Sequence, residues 1–214
     1  DLGTAPLEND ARPVLWEAGL RIQAGPPTDE VRITWDPAPA VAVIRASARR
    51  ADLYVSAEAL DRFEDFRRSF LGTTLIVLLR RLGWHYVHAA AAIDPAGRGW
   101  LFAGAPRSGK STTSALLATC GWSLATDDMA FLVAAGERVR VAGAYEPIAL
   151  RDGVLRLLDA TGGKELAARQ KMGFTPEQLG GRWVPTVTPD LLMFSEIHSG
   201  QTRMEPLAPR AAFS

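Results

Sequence analysis

The feature that most constrains this chain is the segment Gly104 to Ser111, with the sequence Gly-Ala-Pro-Arg-Ser-Gly-Lys-Ser, which we call the glycine loop. It fits the phosphate-binding pattern Gly-x4-Gly-Lys-Ser/Thr at every fixed position. The apolar run Trp100 to Ala103 precedes it and predicts a buried strand, and the helix-forming run Thr112 to Thr119 follows it. Because phosphate-binding loops lie between a strand and a helix, the sequence predicts nucleotide binding rather than a chance glycine-rich turn.

The residues of the glycine loop have distinct expected roles. Gly104 and Gly109 allow a tight turn, so that backbone N–H groups can point inward at an anion. A helix that starts near Lys110 adds the positive end of its dipole. We expect Lys110 to contact the outer phosphates and the Ser111 hydroxyl to bind Mg²⁺. The predicted nucleotide-binding residues are Gly104, Ala105, Pro106, Arg107, Ser108, Gly109, Lys110, Ser111 and Thr112.

Two adjacent carboxylates, Asp127 and Asp128, end the next predicted strand, Trp122 to Thr126. A carboxylate at a strand end beside a phosphate-binding loop can hold Mg²⁺, directly or through water. Two carboxylates allow two roles, one in metal binding and one in accepting a proton from an attacking hydroxyl. The structural alternative is a turn that only caps the strand, and the position beside the glycine loop disfavours it.

Composition and charge narrow the function classes. The chain has 214 residues, with 24 Lys and Arg against 24 Asp and Glu, so its formal net charge is zero. A nucleic-acid partner is therefore not expected. The single cysteine, Cys120, cannot form an internal disulfide, which suits a reducing compartment. No run of about 18 apolar residues predicts a membrane span, and no signal peptide is visible, so we expect a cytoplasmic protein without membrane contact.

Residues 1–50 are predicted to form a small N-terminal β layer or lobe, and residues 51–214 the phosphate-loop domain. Strands are expected at Val14 to Ile22, Val31 to Trp35 and Val41 to Ile44, because apolar residues alternate in two of them and the proline-containing turns Gly25 to Pro27 and Pro37 to Pro39 separate them. A helix capped by Ser56 should follow, with Gly72 as a point of interruption.

The later part of the chain predicts further elements. Trp84 to Ile93 is read as a buried strand that forms a hairpin with Trp100 to Ala103, although its alanines also suit a helix. On such a strand His85 and His88 face opposite sides, so a shared metal site is not expected. Residues 161–181 are predicted to form a mobile lid, and residues 191–194 and 202–207 a closing strand pair.

Three of these features together resemble HPr kinase/phosphorylase and its smaller relatives, the HPr-kinase-like serine kinases. They are His88, the glycine loop with Thr112, and the Thr126-Asp127-Asp128 turn. Some of those relatives belong to peptide-modification clusters, including lasso-peptide clusters. The resemblance covers residues 83–151 well and 191–207 more loosely. It implies an α/β fold in which a P-loop domain has a mixed sheet of the phosphoenolpyruvate carboxykinase type.

The resemblance also implies catalytic roles for four residues. Asp127 would act as general base toward a serine hydroxyl, and Asp128 would bind metal or support the same proton transfer. His88 would hold or tune the two aspartates, and Lys110 would contact the β- and γ-phosphates of ATP. The implied metal ligands are Ser111, Asp128 and Glu146. Arg151, Arg169 or Lys171 would supply the positive charge that reaches the transferring phosphoryl group.

The sequence departs from the family at two points. Bifunctional members carry a signature of the form Glu-Ile/Val-Arg-Gly-x-Gly, which the segment from Glu146 to Gly153 does not match. Reverse phosphorylase activity and HPr as the substrate are therefore not supported. Arg107 occupies a position in the glycine loop where small residues are usual. Two interpretations of its side chain remain, one in which it helps to bind an anion and one in which it points to solvent.

The sequence thus predicts an ATP- and Mg²⁺-dependent kinase that acts on a serine of a peptide or protein. A small-molecule alcohol kinase is an alternative with the same phosphate cradle. A non-catalytic nucleotide-binding or regulatory module is another, although the presence of His88 and Asp127 argues against it. Larger relatives form oligomers, so a homo-oligomer is an open alternative for this chain.

Overall fold

The computed structural model describes residues 13–17, 19–24, 29–158, 162–166, 171–197, 199–201 and 203–207. Over these residues the chain has a mixed α/β architecture with four sheets, antiparallel or mixed, and few helices. It divides into two compact units, Asp1–His85 and Tyr86–Ser214. None of the described helices is long and apolar enough to cross a membrane.

The first unit contains an antiparallel five-stranded sheet whose strands follow one another in chain order. Its members are β1 (Pro13–Glu17), β2 (Leu20–Ala24), β3 (Glu30–Trp35), β4 (Ala40–Arg45) and β5 (Arg50–Val55). The predicted strand from Val14 to Ile22 is in fact two strands, because Gly19 turns the chain with a φ of 74°. Apolar residues alternate along β3, so that Ile33 and Trp35 are buried on one face.

A nearly continuous helical segment covers the buried face of this sheet. It comprises α1 (Ala57–Asp61), α2 (Phe63–Asp65), the π-helical turn Phe66–Leu71 and α3 (Gly72–Arg81). Phe66 and Phe70 lie in the same apolar cluster as Ile33 and Ile44, and their rings stack with centroids 5.3 Å apart. Gly72 does not interrupt the helix; it continues from the π-helical turn into α3.

The packing of these helices explains why they belong to the first compact unit. The sequence predicted a domain boundary after residue 50, and the division into compact units falls further along the chain, between His85 and Tyr86. The reason is that the apolar side chains of the helical segment, Phe70 above all, are buried against strands β3 and β4. Periodicity identified a buried stripe on the helix but could not say which sheet buries it.

Replacing the cap of this helical segment is expected to destabilise the fold. The Ser56 hydroxyl accepts a hydrogen bond from the backbone N–H of Ala59 at 3.2 Å. Ser56→Ala leaves that donor without its partner and should lower the free energy of unfolding by about 1 kcal/mol. Urea unfolding followed by circular dichroism measures the change. Ser56→Thr keeps the hydroxyl and should lose less; equal losses in the two variants would contradict the capping role.

The second unit contains the remaining strands and helices. Its strands are β6 (His85–His88, which starts on the last residue of the first unit), β7 (Ala90–Ile93), β8 (Gly99–Ala103), β9 (Ser123–Thr126), β10 (Met129–Ala135), β11 (Arg138–Gly143), β12 (Ile148–Leu150), β13 (Lys164–Leu166), β14 (Lys171–Phe174), β15 (Arg182–Trp183), β16 (Thr186–Val187) and β17 (Leu191–Phe194). Its helices are α4 (Lys110–Thr119), α5 (Asp152–Leu158) and a 3-10 turn at Glu177–Leu179.

A mixed five-stranded sheet in the order β15-β9-β7-β8-β17 carries the glycine loop. The predicted hairpin is confirmed for β7, which pairs antiparallel with β8 in a register that opposes Ala90 to Phe102. The single buried strand predicted from Trp84 to Ile93 is instead two strands, because β6 belongs to the separate sheet β16-β11-β10-β6 and is largely exposed. On its other side β7 pairs antiparallel with β9. The outer strands β15 and β17 run parallel to β9 and β8. The carboxyl ends of β8 and β9 therefore point the same way, as the site requires.

The alanine-rich run is a strand because it is buried on both faces. Ala90 and Ala92 contact the cluster that includes Ala115 and Ala118 of α4. The alternate residues Ala89 and Ala91 belong to a second cluster, with Ala125 and Val141. Small side chains let the layers approach closely, and helix propensity is overridden by this two-sided packing.

Two later predictions are wrong. Residues 161–181 were expected to form a mobile lid, but the described part contains β13, β14 and the 3-10 turn. Phe174 and Leu179 there are 1% and 7% exposed and lie in the core beside α4. The closing strand pair is only half present: β17 forms, whereas the described residues 203–207 form no strand.

The turn between β7 and β8 is fixed by Asp94. Its buried carboxylate accepts hydrogen bonds from the backbone N–H and Nε of Arg98, each at 2.8 Å, and from Nε1 of Trp100 at 3.2 Å. Burial alone would raise the pKa of Asp94, but these hydrogen bonds together hold it below its usual value. A lowered pKa in the folded state stabilises the fold above the unfolded-state pKa, and this contribution is lost as the pH falls.

Asp94→Asn is therefore expected to weaken the acid dependence of stability. The wild type should lose stability between about pH 5 and about pH 3, and the variant should lose less over this range. Urea midpoints measured across the range give the slope. Asp61→Asn, at an exposed position on α1, is the control. Equal slopes for wild type and Asp94→Asn would contradict this role of Asp94.

Candidate functional site

The glycine loop lies between the end of β8 at Ala103 and the start of α4 at Lys110. Gly104 and Gly109 have positive φ angles of 155° and 92°. Arg107 also has a positive φ, 68°, and its side chain is exposed. A left-handed backbone is uncommon for residues other than glycine and is found most often in special turns. The strand, loop and helix expected from the sequence are thus present, with Arg107 at the outside of the turn.

Gly104 occupies a position where no side chain fits. A Cβ atom there would lie 2.6 Å from both the backbone oxygen of Ser195 and the hydroxyl of Ser108. Contacts that short do not occur for real Cβ atoms, so the first glycine of the pattern is needed for close approach as well as for its φ angle.

Lys110 turns its ammonium group back over the loop. The residue is 5% exposed, and Nζ donates hydrogen bonds to the backbone oxygens of Gly104 at 2.8 Å and Ala105 at 3.0 Å. Burial lowers the pKa of Lys110, and the negative charges of Asp128 and Asp127 oppose that effect. Both acceptors are neutral, so the loop carries a largely buried positive charge that can interact with an anion.

The two aspartates occupy different environments at the end of β9. Asp127 is 7% exposed, whereas the side chain of Asp128 is 33% exposed. The hydroxyl of Thr126 accepts hydrogen bonds from the backbone N–H groups of Asp128 at 3.2 Å and Met129 at 3.0 Å. This turn holds the two carboxylates at the carboxyl end of the strand. Both carboxylates raise the pKa of Lys110, so they lie on the side of the site where Lys110 is.

His88 contacts Asp128 because the strands that carry or adjoin these two residues are neighbours in a sheet. Strand β6, which ends at His88, is the neighbour of β10, and β10 begins directly after Asp128. The Nε2 atom of His88 lies 2.9 Å from Oδ1 of Asp128. His85, on the opposite face of β6, instead contacts Arg80. The two histidines therefore have different partners, in line with the prediction from their spacing.

Tyr86 is a residue of this site that sequence reasoning missed. Burial raises the pKa of its hydroxyl, and the charges of Asp128 and Glu146 raise it further. Its ring packs against Phe131 with centroids 5.8 Å apart. The period of a strand contained the signal, because residues two apart share a face and Tyr86 is two before His88. Because the charges of both Glu146, from the β11–β12 connection, and Asp128 raise the pKa of Tyr86, Glu146 lies on the Asp128 side of the site.

The three residues predicted to supply positive charge to the transferring phosphoryl group have less support from the geometry. Arg151 is exposed, directly precedes α5, and forms no side-chain ion pair with any described residue. Lys171 is half-buried at the start of β14, where it pairs with Leu166 in the sheet. Arg169 lies outside the described residues. The structure therefore brings together His88, Lys110 and the two aspartates, and the charge of Glu146, like that of Asp128, acts on Tyr86.

The predicted metal ligands can be tested against the chemistry of magnesium. Among the described residues, no three His, Cys, Asp or Glu side chains cluster closely enough to hold a metal by themselves. Mg²⁺ is commonly bound through one or two protein oxygens, with water and substrate phosphates completing its shell. Ser111 in the first turn of α4 and Asp128 supply oxygens of that kind, so these two residues fit the ion.

Comparison with known proteins adds no family assignment. No protein-family model matches the chain, and no curated protein matches its sequence significantly. Function consequently has to be argued from the site, since a fold alone does not specify an activity. The site consists of the glycine loop, a largely buried ammonium group, and a histidine–aspartate pair at its edge.

Proposed function

We propose that this protein is an ATP- and Mg²⁺-dependent kinase that transfers the γ-phosphoryl group to a serine hydroxyl of a peptide or protein. One observation carries the proposal. The Lys110 ammonium, bonded to neutral carbonyls of the glycine loop, lies within the influence of Asp127 and Asp128, and Asp128 pairs with His88. A cation for phosphate beside carboxylates for a hydroxyl is the minimum set for phosphoryl transfer.

The donor side of the reaction depends on the glycine loop and Lys110. The backbone N–H groups of the loop and the start of α4 bind phosphate oxygens, and Lys110 neutralises charge on the outer phosphates. Desolvation strengthens this effect because a largely buried ammonium interacts with an anion through a medium of lower polarity than water. When bound, Mg²⁺ supplies further charge neutralisation at the phosphates, with Ser111 and Asp128 as its protein ligands and Glu146 as a further candidate.

On the acceptor side, Asp127 acts as the general base. The serine oxygen forms a bond to the γ-phosphorus, the bond from that phosphorus to the β-phosphate oxygen breaks, and ADP leaves. The serine proton passes to the Asp127 carboxylate. A serine hydroxyl is a weak nucleophile in neutral water, so a positioned carboxylate gives the step its direction. His88 positions the neighbouring Asp128 through their 2.9 Å contact.

The exposure of the site favours a serine carried on a peptide or protein over a small alcohol. The side chain of His88 is 43% exposed and that of Asp128 is 33% exposed. Tyr86, whose pKa is raised by the charges of Asp128 and Glu146, is also 37% exposed. An acceptor site of this kind can be reached by a hydroxyl on a long chain, whereas pockets for small molecules enclose most of their ligand. The resemblance of His88, the glycine loop and the aspartate turn to HPr-kinase-like serine kinases supports the same class.

Mass spectrometry of candidate acceptors tests this proposal. Peptides encoded near the gene are incubated with ATP, Mg²⁺ and the protein, alongside small alcohols and sugars as competing acceptors. The expected result is a gain of one phosphate on a serine of a peptide. Phosphate gained only by a small alcohol would shift the assignment to a small-molecule kinase. Nucleotide binding without transfer to any acceptor would favour a regulatory module.

A further inference from the structure

The short segment Ser195–Ile197 follows β17 and lies against the glycine loop. Strand β17 pairs parallel with β8 up to Phe194 opposite Ala103. The backbone N–H of Ser195 then donates to the oxygen of Ala103 at 2.9 Å. The two segments therefore stay hydrogen-bonded up to Ala103, the residue directly before the glycine loop. The position of this segment is therefore set by the same strand that presents the loop.

The side chain of Ser195 fixes the segment to the loop at a second point. Its Oγ lies 2.9 Å from Oγ of Ser108 and donates to the backbone oxygen of Ala103 at 3.3 Å. Its backbone oxygen occupies the space where a Cβ of Gly104 would point, at 2.6 Å. The segment thus contacts both the beginning of the loop and its fourth variable residue, and the absence of a side chain at Gly104 makes this possible.

Ile197 extends this contact to the start of α4. Its Cδ1 lies 3.5 Å from the position of a Cβ on Gly109, which is ordinary van der Waals distance. The side chain is nevertheless 70% exposed. An aliphatic side chain contributes nothing to phosphate binding, but it offers apolar surface to a flat ring held beside the phosphates. A nucleoside has such surface on the faces of its base and on its ribose.

We propose that the Ser195–Ile197 segment forms the wall of the donor site that contacts the nucleoside, with Ile197 as the contact residue and Ser195 as its anchor. This inference rests on the proposed nucleotide-dependent function and adds the residues that distinguish a nucleoside triphosphate from bare triphosphate. A wall attached to the loop by Ser195 keeps the apolar contact at a fixed distance from the phosphate cradle, so the two parts of one ligand are bound together.

Calorimetric titration with two ligands separates the wall from the cradle. Mg·ATP carries the nucleoside, and inorganic tripolyphosphate with Mg²⁺ carries only the phosphates. Ile197→Ala should weaken ATP binding about fivefold, because most of the apolar side chain is removed, and should leave tripolyphosphate binding unchanged. Ile197→Leu should restore ATP binding. Leu191→Ala, which truncates an exposed residue at the other end of β17, is the matched control and should change neither.

The outcomes distinguish this inference from the proposed function. If the wild type binds both ligands and Ile197→Ala binds ATP normally, the nucleoside wall is refuted while nucleotide binding stands. If Ile197→Ala loses both ligands equally, the segment only supports the loop and the inference is also refuted. If the wild type binds neither ligand, the proposed function falls and the inference falls with it.

Discussion

Lys110→Met is expected to weaken Mg·ATP binding by roughly 100-fold, equivalent to about 3 kcal/mol, and to lower phosphoryl transfer at least as much. Methionine keeps the length and apolar stem of lysine but removes the charge. In the wild type Lys110 is 5% exposed, and its ammonium donates to the uncharged oxygens of Gly104 and Ala105. A charge so placed contributes most when a phosphate anion becomes its partner.

The Lys110 prediction is measured by isothermal titration with Mg·ATP and by a transfer assay at saturating and limiting ATP. Lys164→Met, at an exposed lysine of β13 in the same unit, is the matched control and should bind ATP as the wild type does. Thermal unfolding of both variants checks that the fold is retained. Normal ATP binding by a folded Lys110→Met variant would mean that the glycine loop is not the phosphate site.

Asp127→Asn is expected to lower phosphoryl transfer by about 10³-fold, within the range for loss of a general base, while ATP binding changes little. The substitution is nearly isosteric, so the tight environment of Asp127, which is 7% exposed, is preserved. Its amide cannot accept the serine proton. Because the negative charge of Asp127 also raises the pKa of Lys110, a slight change in ATP affinity is compatible with the proposed role of Asp127 as the base.

Asp128→Asn provides the comparison for Asp127→Asn, since the two residues are adjacent on one turn. Asp128 is the partner of His88 and the proposed metal ligand. Its variant should raise the Mg²⁺ concentration needed for half-maximal transfer, and excess Mg²⁺ should restore part of the activity. Asp127→Asn should not respond to Mg²⁺. Equal loss of ATP binding and transfer in Asp127→Asn would overturn its assignment as the base.

The sequence predicted the parts of the site that depend on local chemistry. The pattern from Gly104 to Ser111 specified a turn, and the structure contains the strand, loop and helix around it. The hairpin of β7 and β8 followed from the turn after Ile93. Asp127 and Asp128 were predicted as site residues because they follow the strand next along the chain after the glycine loop, and the structure places them at the end of β9.

The remaining features depend on contacts between distant segments, which a linear pattern does not contain. Ser195 reaches Ser108 only because β17 pairs parallel with β8, and no local signal announces that pairing. Tyr86 joins the site because β6 is the neighbour of β10. The polar composition of residues 161–181 suggested a lid, yet Phe174 and Leu179 are core residues. A few apolar side chains in a polar segment were enough to anchor it in the core, although most of its described residues are exposed or half-buried.

A crystal structure with Mg²⁺ and the β,γ-imido analogue of ATP would show directly whether the glycine loop binds the donor phosphates. We expect the β- and γ-phosphates to lie in the glycine loop, with the Lys110 ammonium bonded to them and Mg²⁺ bound near Ser111 and Asp128. We also expect Asp127 to face the γ-phosphate from the side open to an acceptor hydroxyl. A nucleotide bound elsewhere, or one whose γ-phosphate points away from both aspartates, would refute the proposed kinase site.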